Sequence, residues 1–427
     1  MEKTTVTLPN IELFKKQALA WANKFNVCLL LNSNEYQSNI PTHFEWTLAV
    51  DTVNLVEGKL GSAFVSLEGF LNEKKQTVFG FLSYDLKNEI ENLPNSLPDY
   101  LGFPHLFFFE PRYVIEVKKS QVSINRNYPE TMEIIDAIQA MKIENLQAVS
   151  LDFNFRTERE KYLKNVADIK SRILAGDFYE MNYCIELFAE KVTLNTTCFF
   201  NYLNDKTLAP FSSFVKYFDK FLLCASPERF LKRKGNSITS QPIKGTIKRS
   251  ENRIENDKLQ QALQQNEKER AENIMIVDLV RNDIAKSCQT GSVRVEELCG
   301  VYEFNTVNQM ISTVSGTLKN DIKVSEIIRN TFPMGSMTGA PKIEVMKCID
   351  ALEDCQRNLY SGSVGYIMPN GDFDFNVVIR SVFYDAAKQY VSLRSGSAIT
   401  FDSQAEKEWD EVLLKMKAMR EIFKVGE

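Results

Sequence analysis

The chain has 427 residues, of which 44% are hydrophobic and 25% are charged. This balance predicts a globular protein with one large core or two coupled domains, and it excludes a disordered chain. Its 51 Lys and Arg residues against 56 Asp and Glu give a formal charge of -5, and no basic stripe interleaved with aromatic residues occurs, so the composition argues against a nucleic-acid-binding protein.

The cysteine and histidine residues limit the kinds of functional site that we expect in the chain. Eight cysteines are scattered without a C-x-x-C pair, and neither a secretory leader nor an apolar run of about 18 residues is found. We therefore expect reduced thiols and a cytoplasmic protein that does not enter a membrane. The two histidines, His43 and His105, lie in the first quarter of the chain, which argues against a histidine-based zinc site or a Ser-His-Asp triad and leaves oxygen ligands for any metal.

The N-terminal part, residues 1–150, alternates short apolar runs with turn segments and predicts strands with occasional helices. A long helix follows, which we expect to end at Gly176. Its apolar residues recur at helical spacing, namely Tyr162, Val166, Ile169 and Ile173. A second region begins with this helix and no Ser/Gly/Pro-rich linker separates independent modules, so we expect two intimately packed parts, 1–150 and 151–427.

From Asn201 onward the pattern runs through several strands, a charged helix, more strands and a final helix. Strands and helices do not alternate regularly, which predicts an α+β fold with antiparallel sheets rather than a doubly wound parallel sheet. Ser403 and Glu406 have the spacing of a capping box, and they predict the start of the last helix.

A lysine in "SQPIKGTIKR" raises a question about its chemistry. Lys244 lies between Ile243 and Gly245, where burial would lower the pKa of the amine and leave the neutral, nucleophilic form. A lysine in a strand is also often an edge residue whose charged end reaches solvent. The segment alone leaves both interpretations open.

Two later helices each carry a pair of glutamates. Glu269 and Glu272 in "EKERAENIMIVDLVRND" are three residues apart, as are Glu408 and Glu411 in "FDSQAEKEWDEVLLKMKAMREIF", so each pair lies on one helical face. If the helices meet across a cleft, four carboxylates could hold one Mg²⁺ ion through oxygen ligands. Glutamate pairs on solvated helix faces are the other interpretation.

A glycine-rich turn precedes a helix in "TFPMGSMTGAPKIEVMK". Backbone N–H groups around Gly335 and Gly339, with a helix starting after Pro341, predict a cradle for a carboxylate, although an ordinary turn has the same pattern. The G-x-x-x-x-G-K-[ST] spacing is absent, so nucleotide phosphate binding is unsupported.

Six segments occur together in a characteristic order: "SPERF" at 226–230, "PIKGT" at 242–246, "KERAENIMIVDLVRND" at 268–283, "FPMGSMTGAPK" at 332–342, "GYIMPNGDFDFNVVIRS" at 365–381 and "DSQAEKEWDE" at 402–411. In this order they resemble the chorismate-utilising enzymes, and in particular component I of aminodeoxychorismate synthases. The resemblance is dense over residues 155–425. It implies an anthranilate synthase component I-like fold, an α/β sandwich of large, mostly antiparallel sheets flanked by helices.

The resemblance also divides the chain by role. Residues 1–150 fit the family's variable N-terminal region, in which "LLNSN" at 30–34 stands where a tryptophan-binding segment usually reads Leu-Leu-Glu-Ser. Residues 151–427 fit the chorismate-binding catalytic region. Anthranilate synthases usually carry Ala at the position of Lys244, so this lysine favours aminodeoxychorismate synthesis.

The family resemblance implies a reaction. Lys244 would attack C2 of chorismate while the C4 hydroxyl leaves, Glu228 would protonate that hydroxyl from a desolvated site, and ammonia would then enter at C4 and expel the lysine. The product would be 4-amino-4-deoxychorismate, a precursor of p-aminobenzoate and folate. Ammonia would come from a separate glutamine amidotransferase subunit, since no glutaminase segment occurs in the sequence.

The remaining roles carry over by position. The resemblance implies that the four glutamates hold Mg²⁺, that Tyr366 and Arg380 bind the enolpyruvyl carboxylate, and that Thr338 and the backbone at Gly396 complete the anion pocket. Some positions differ from the family's usual residues. These are Gln309 in place of His, Ala398 in place of Gly and Glu180 in place of Gln.

Two alternatives stay open. One is anthranilate, isochorismate or salicylate synthesis on the same scaffold, and the other is a non-catalytic tryptophan-sensing or partner-binding relative. Lys244 favours aminodeoxychorismate synthesis over anthranilate synthesis, and the presence of all four glutamates disfavours the non-catalytic alternative.

Overall fold

A computed structural model shows a mixed α+β protein. Among the described residues it contains 20 strands and 11 α-helices. The described residues are 4–36, 40–91, 93, 97–125, 128–144, 149 and 151–423.

The strands are numbered in chain order. They are β1 (Thr4–Thr7), β2 (Val27–Asn32), β3 (Trp46–Gly58), β4 (Val78–Leu82), β5 (Leu106–Lys118), β6 (Gln121–Ile124), β7 (Asn154–Phe155), β8 (Glu180–Ala189), β9 (Phe211–Tyr217), β10 (Lys220–Ser226), β11 (Arg229–Lys234), β12 (Ser237–Gln241), β13 (Ile243–Lys248), β14 (Arg294–Glu303), β15 (Val307–Thr317), β16 (Gly339–Ala340), β17 (Ser363–Ile367), β18 (Phe373–Asn376), β19 (Ser381–Asp385) and β20 (Tyr390–Ile399).

The helices are numbered in the same way. They are α1 (Ile11–Ala22), α2 (Ala63–Asn72), α3 (Lys87–Ile90), α4 (Tyr128–Gln139), α5 (Arg159–Ala175), α6 (Thr196–Thr207), α7 (Arg253–Gln265), α8 (Glu267–Ala285), α9 (Val324–Thr331), α10 (Lys342–Leu352) and α11 (Ala405–Glu421), with 3₁₀ turns at Tyr84–Leu86 and Gly335–Met337.

All of these strands belong to one hydrogen-bonded network. Within the described ranges, every strand pairing is antiparallel, for example β8 with β20, β3 with β5 and β10 with β19. The prediction of antiparallel sheets flanked by helices is therefore confirmed. Strands before residue 150 pair with later ones, β2 with β9 and β4 with β17. The division at residue 150 stays a prediction.

Buried side chains lie on both faces of the network. Successive residues of a strand point to opposite faces, and along β10 Leu223 joins one buried cluster while Leu222 and Cys224 join the other. Helices α1, α5, α6 and α11 pack on the first cluster, and α2, α8 and α9 pack on the second. The sheet is thus covered on both sides. This packing fixes the strand ends that carry the polar residues of the candidate active site.

The helix boundaries test the sequence predictions. Helix α5 ends at Gly176, whose φ of 86° is the left-handed conformation that glycine tolerates, and α10 begins directly after Pro341, as expected. The capping box at Ser403 is wrong: Gln404 is the N-cap residue of α11 and makes no side-chain cap. Ser403 Oγ instead accepts a hydrogen bond from the backbone N–H of Thr400 at 3.1 Å, because it closes the turn after β20.

All eight cysteines are buried and unpaired. Within the described ranges, no helix has both the length and the apolar composition needed to cross a lipid bilayer.

Candidate active site

Lys244 lies at an irregular point of β13. The register between β13 and β15 shifts between Ile243 and Thr246, and Gly245 adopts a φ of 91°, which is the geometry of a bulge that redirects a side chain. The Lys244 amine consequently donates to Glu180 Oε1 at 2.6 Å. The Lys244 side chain is 11% exposed and that of Glu180 is 1% exposed, so this is a buried ion pair between β13 and β8.

The pKa of the Lys244 amine differs from our expectation. Burial lowers the pKa of its amine, but the Glu180, Glu272 and Glu228 carboxylates raise it by more, so the net pKa lies above the usual value. The predicted lowering is wrong, because the sequence indicated burial next to Ile243 but did not show that Glu180 lies within hydrogen-bonding distance.

Glu228 lies between β10 and β11, within the "SPERF" segment. It is 4% exposed, and it accepts a hydrogen bond from Ser336 Oγ at 2.7 Å. Burial raises its pKa to about 7, against the opposing effects of Ser336, Lys244 and Arg380. A carboxyl that is partly protonated at neutral pH suits a general acid. We call Lys244, Glu180 and Glu228 the lysine centre.

The glycine-rich turn is built against the lysine centre. A Cβ on Gly339 would lie 2.0 Å from the backbone oxygen of Glu180, so the pairing of β16 with β8 requires glycine there. The Thr338 hydroxyl is buried and donates to the backbone oxygen of Met334 at 3.0 Å. Ser336 is a residue that we did not predict, although it lies within the quoted motif, and it is the side chain that contacts Glu228.

Arg380 lies just before β19 in a left-handed conformation, with a φ of 53°, which is uncommon for a non-glycine residue and frequent at functional sites. In the part of the chain that the structure describes, its guanidinium makes no hydrogen bond or ion pair. Burial lowers its pKa, while Tyr360, Glu411 and Glu228 raise it, and the net pKa is below the usual value. A partly buried guanidinium in this state is suited to a carboxylate ligand.

The two tyrosines near Arg380 in the sequence have different surroundings. Tyr366 on β17 packs edge-to-face on Phe44, with ring centroids 4.8 Å apart, and Asp374 and Arg229 are the charged groups that act on it first. Tyr366 thus lies against Phe44 and in the electrostatic environment of Asp374 and Arg229, and its role in binding the enolpyruvyl carboxylate stays a prediction. Tyr360 is 3% exposed and shares an electrostatic interaction with Arg380. Both tyrosines belong to "NLYSGSVGY", and the sequence contained no signal that separated them.

Gly396 on β20 and Gln309 on β15 lie on strands of the same network that do not pair with each other. A Cβ on Gly396 would lie 2.5 Å from Cys184 Sγ, so close packing of β20 on β8 requires glycine, and its backbone oxygen accepts from Lys415 Nζ at 3.0 Å. Gln309 on β15 stands opposite Thr246 of β13. It is 4% exposed, and its Oε1 atom is buried without a hydrogen-bond partner among the described residues.

The predicted ligand residues of α8 and α11 share one electrostatic environment. We call these four residues the glutamate faces: Glu269, Glu272, Glu408 and Glu411. Burial lowers the pKa of the Lys268 amine, but all four carboxylates raise it, and the net pKa lies above its usual value. Burial raises the pKa of Glu272 to about 7, and its carboxylate neighbours add to this effect. The two helices thus direct four acidic groups toward one positive charge.

The glutamate faces are not assembled as a metal centre. Counting only described residues, no three His, Cys, Asp or Glu side chains lie close enough together to hold a metal ion. Lys268 Nζ lies 3.7 Å from Glu272, and Lys415 pairs with Glu411. The carboxylate donors and their excess negative charge fit a hard cation such as Mg²⁺. The magnesium site stays a prediction.

The "LLNSN" segment ends β2 at a separate pocket. The backbone N–H of Asn34 donates to Asn32 Oδ1 at 2.9 Å, and Asn32 and Ser33 line a pocket with Phe44 and Tyr366. Tryptophan binding at this segment stays a prediction.

Comparisons with known proteins point to one family. A family model described as chorismate binding enzyme matches residues 28–421. The chain is 33% identical to an anthranilate synthase component I-like protein of Synechocystis, over 80% of this chain and 71% of that protein. It is 30% identical to aminodeoxychorismate synthase component 1 of Bacillus subtilis, over 82% of this chain and 77% of that protein.

A solved structure agrees with these matches. The crystal structure of anthranilate synthase component I from Streptococcus pneumoniae superposes with a TM-score of 0.79 at 26% identity, covering 90% of this chain and 94% of that chain. The names of these relatives include two different activities, so overall similarity does not choose between them. The choice depends on the side chains of the site.

Proposed function

The chain belongs to the chorismate-binding enzyme family, and we propose that it forms 4-amino-4-deoxychorismate from chorismate and ammonia. The observation that carries this proposal is the lysine centre. A buried amine, Lys244, lies in the field of Glu228, a carboxyl whose pKa is raised to about 7. An amine nucleophile beside an acid is the pair of groups that a substitution through a covalent amine intermediate needs.

The first step forms the covalent intermediate. Lys244 must first give up one proton, for which Glu180 Oε1 at 2.6 Å is an available acceptor. The neutral amine then attacks C2 of chorismate, both ring double bonds shift, and the C4 oxygen leaves as water with the proton of Glu228. The carbon–nitrogen bond at C2 forms as the carbon–oxygen bond at C4 breaks.

In the second step ammonia is the nucleophile, and the ring double bonds return to their original positions. Ammonia attacks C4, both ring double bonds shift back, and the electron pair of the C2–nitrogen bond returns to Lys244. The new ammonium group loses one proton to the Glu228 carboxylate, and Lys244 recovers its proton from Glu180. The sum is chorismate plus ammonia giving aminodeoxychorismate plus water, with each acid and base restored.

Substrate carboxylates need fixed positive groups. We propose that Arg380 binds the enolpyruvyl carboxylate and that Tyr360 takes the supporting role predicted for Tyr366, because Tyr360 shares the electrostatic environment of Arg380. The turn containing Gly339 and Thr338 would line the anion pocket. Magnesium, held by the glutamate faces, would supply a positive charge to the ring carboxylate and polarise the substrate.

The ammonia source completes the proposal. We propose a separate glutamine amidotransferase subunit as partner, supported by the name of the Bacillus subtilis relative, which is a component 1. Free ammonium should replace this partner in a purified system.

Mass-resolved analysis of the products made from chorismate, Mg²⁺ and ammonium tests the function. We expect aminodeoxychorismate, which keeps its enolpyruvyl group, and no stoichiometric pyruvate. Anthranilate synthesis places nitrogen at C2 and eliminates pyruvate, yet Lys244 occupies the position for attack on C2 in our proposal. Anthranilate released together with pyruvate would overturn the choice of reaction.

A further inference from the structure

Glu180 uses only one of its two carboxylate oxygens. Oε1 accepts the hydrogen bond from Lys244 at 2.6 Å, whereas Oε2 is buried and has no hydrogen-bond partner among the described residues. The residue is 1% exposed. Because a buried acceptor without a donor is costly, the arrangement calls for a hydrogen-bond donor that arrives with a ligand.

The charged groups around Glu180 indicate which kind of hydrogen-bond donor would bind to Oε2. Three carboxyl groups, Glu180, Glu272 and Glu228, act on the single ammonium of Lys244, so the cluster contains more carboxyl oxygens than ammonium hydrogens. Such a cluster attracts a second small cation or a strongly polarised N–H donor. A metal ion is disfavoured at Glu180 itself, since the adjacent oxygen of the same carboxylate is bonded to an ammonium group.

The chemistry of the proposed reaction supplies one such donor. Ammonia and ammonium are the compact N–H donors among its reactants, and the nitrogen must reach C4 while Lys244 is bonded to C2 of the same ring. Glu180, which is hydrogen-bonded to Lys244 through one oxygen, is therefore close to the ring on which the second nucleophile acts.

We propose that Glu180 Oε2 is the ammonia-binding group of this protein, which accepts an N–H hydrogen bond from ammonia or ammonium beside Lys244. This inference rests on the proposed function. It assigns two tasks to one side chain: Oε1 positions Lys244 and takes its proton, and Oε2 binds the incoming nitrogen.

The Glu180→Gln variant affects both tasks, and the dependence of the rate on ammonium concentration tests the second one. The amide keeps an oxygen that can accept from Lys244, but it presents an NH₂ donor where Oε2 stood, and a donor cannot accept from ammonia. Initial rates are measured against ammonium concentration with saturating chorismate and Mg²⁺. We expect the KM for ammonium to rise about tenfold or more, with a smaller change in the KM for chorismate, and kcat to fall as well because the amide cannot take the proton of Lys244.

Two further variants make the test decisive. Glu190→Gln makes the same chemical change at an exposed position directly after β8, and it should leave all three constants unchanged. Glu180→Asp keeps a carboxylate and should give a KM for ammonium between those of the wild type and Glu180→Gln. Thermal unfolding of each variant monitors folding.

The outcomes distinguish the two proposals. If the wild-type protein forms aminodeoxychorismate and neither Glu180 variant changes the KM for ammonium, the ammonia-binding role is wrong while the function stands. If the wild-type protein forms no aminodeoxychorismate at any ammonium concentration, the proposed function fails and this inference fails with it.

Discussion

The lysine centre and the glutamate faces both consist of charged groups, yet they are built differently. Lys244, Glu180 and Glu228 project from strands or strand ends, and Lys244 and Glu228 each have a direct hydrogen-bond partner. The glutamate faces belong to two helices, and the described side chains do not form a group that could hold a metal as they stand. The comparison indicates that packing of the sheet fixes the groups of the proposed covalent chemistry in place, whereas a cation would have to draw the helical carboxylates together.

Replacement of Lys244 is expected to have the largest effect. Lys244→Ala removes the amine, and Lys244→Arg provides a permanently charged guanidinium that cannot act as the nucleophile. Both should lower aminodeoxychorismate formation on the order of a thousandfold without preventing folding. Lys248→Ala, on the exposed end of the same strand, is the matched control. Wild-type turnover of both Lys244 variants at saturating ammonium would contradict the covalent role.

Replacement of Glu228 should have the second largest effect on activity. Glu228→Gln removes the proton donor, and we expect a loss of about a hundredfold or more in kcat. Because burial raises the pKa of Glu228 to about 7, its acid form disappears as the pH rises through that value. The wild-type kcat/KM should therefore fall on the alkaline side, and the variant should lose this limb. A pH profile shared by both proteins would rule out the acid role.

The glutamate faces should show a defect that added metal can repair. Removal of Mg²⁺ with EDTA should abolish activity, and Glu269→Gln or Glu408→Gln should each cost about 10- to 100-fold at low Mg²⁺. Raising the Mg²⁺ concentration should recover part of this loss, unlike the loss in Lys244→Ala. Glu267→Gln, on the exposed first residue of α8, serves as the control. Activity that persists in EDTA would contradict the proposed requirement for Mg²⁺.

The smallest effect concerns the two tyrosines. Tyr360→Phe removes a hydroxyl next to Arg380 and should raise the KM for chorismate about fivefold. Tyr366→Phe, whose ring packs on Phe44, should leave this KM near the wild-type value. The opposite pattern in steady-state measurements would restore the role that the resemblance assigned to Tyr366.

The sequence predicted the features that local patterns determine. The antiparallel α+β fold, the end of α5 at Gly176 and the start of α10 after Pro341 follow from periodicity and from glycine and proline positions. Such features depend on residues close together in the chain, so one sequence is enough to recognise them.

Contacts between distant segments could not be predicted in this way. Glu180 and Lys244 are 64 residues apart, and their ion pair reversed the expected direction of the lysine pKa. Ser336 reaches Glu228 across 108 residues. The choice between Tyr360 and Tyr366 likewise depends on where the chain bends back toward Arg380, which no spacing rule specifies.

Mass spectrometry of the intact protein tests the central claim most directly. Protein mixed with chorismate and Mg²⁺ without ammonium, and quenched with acid at short times, should gain the mass of chorismate minus water. The added mass should lie on the peptide that contains Lys244, disappear when ammonium is supplied, and be absent from Lys244→Ala. An unmodified protein at every quench time, with full turnover once ammonium is added, would contradict the proposal that Lys244 is the nucleophile.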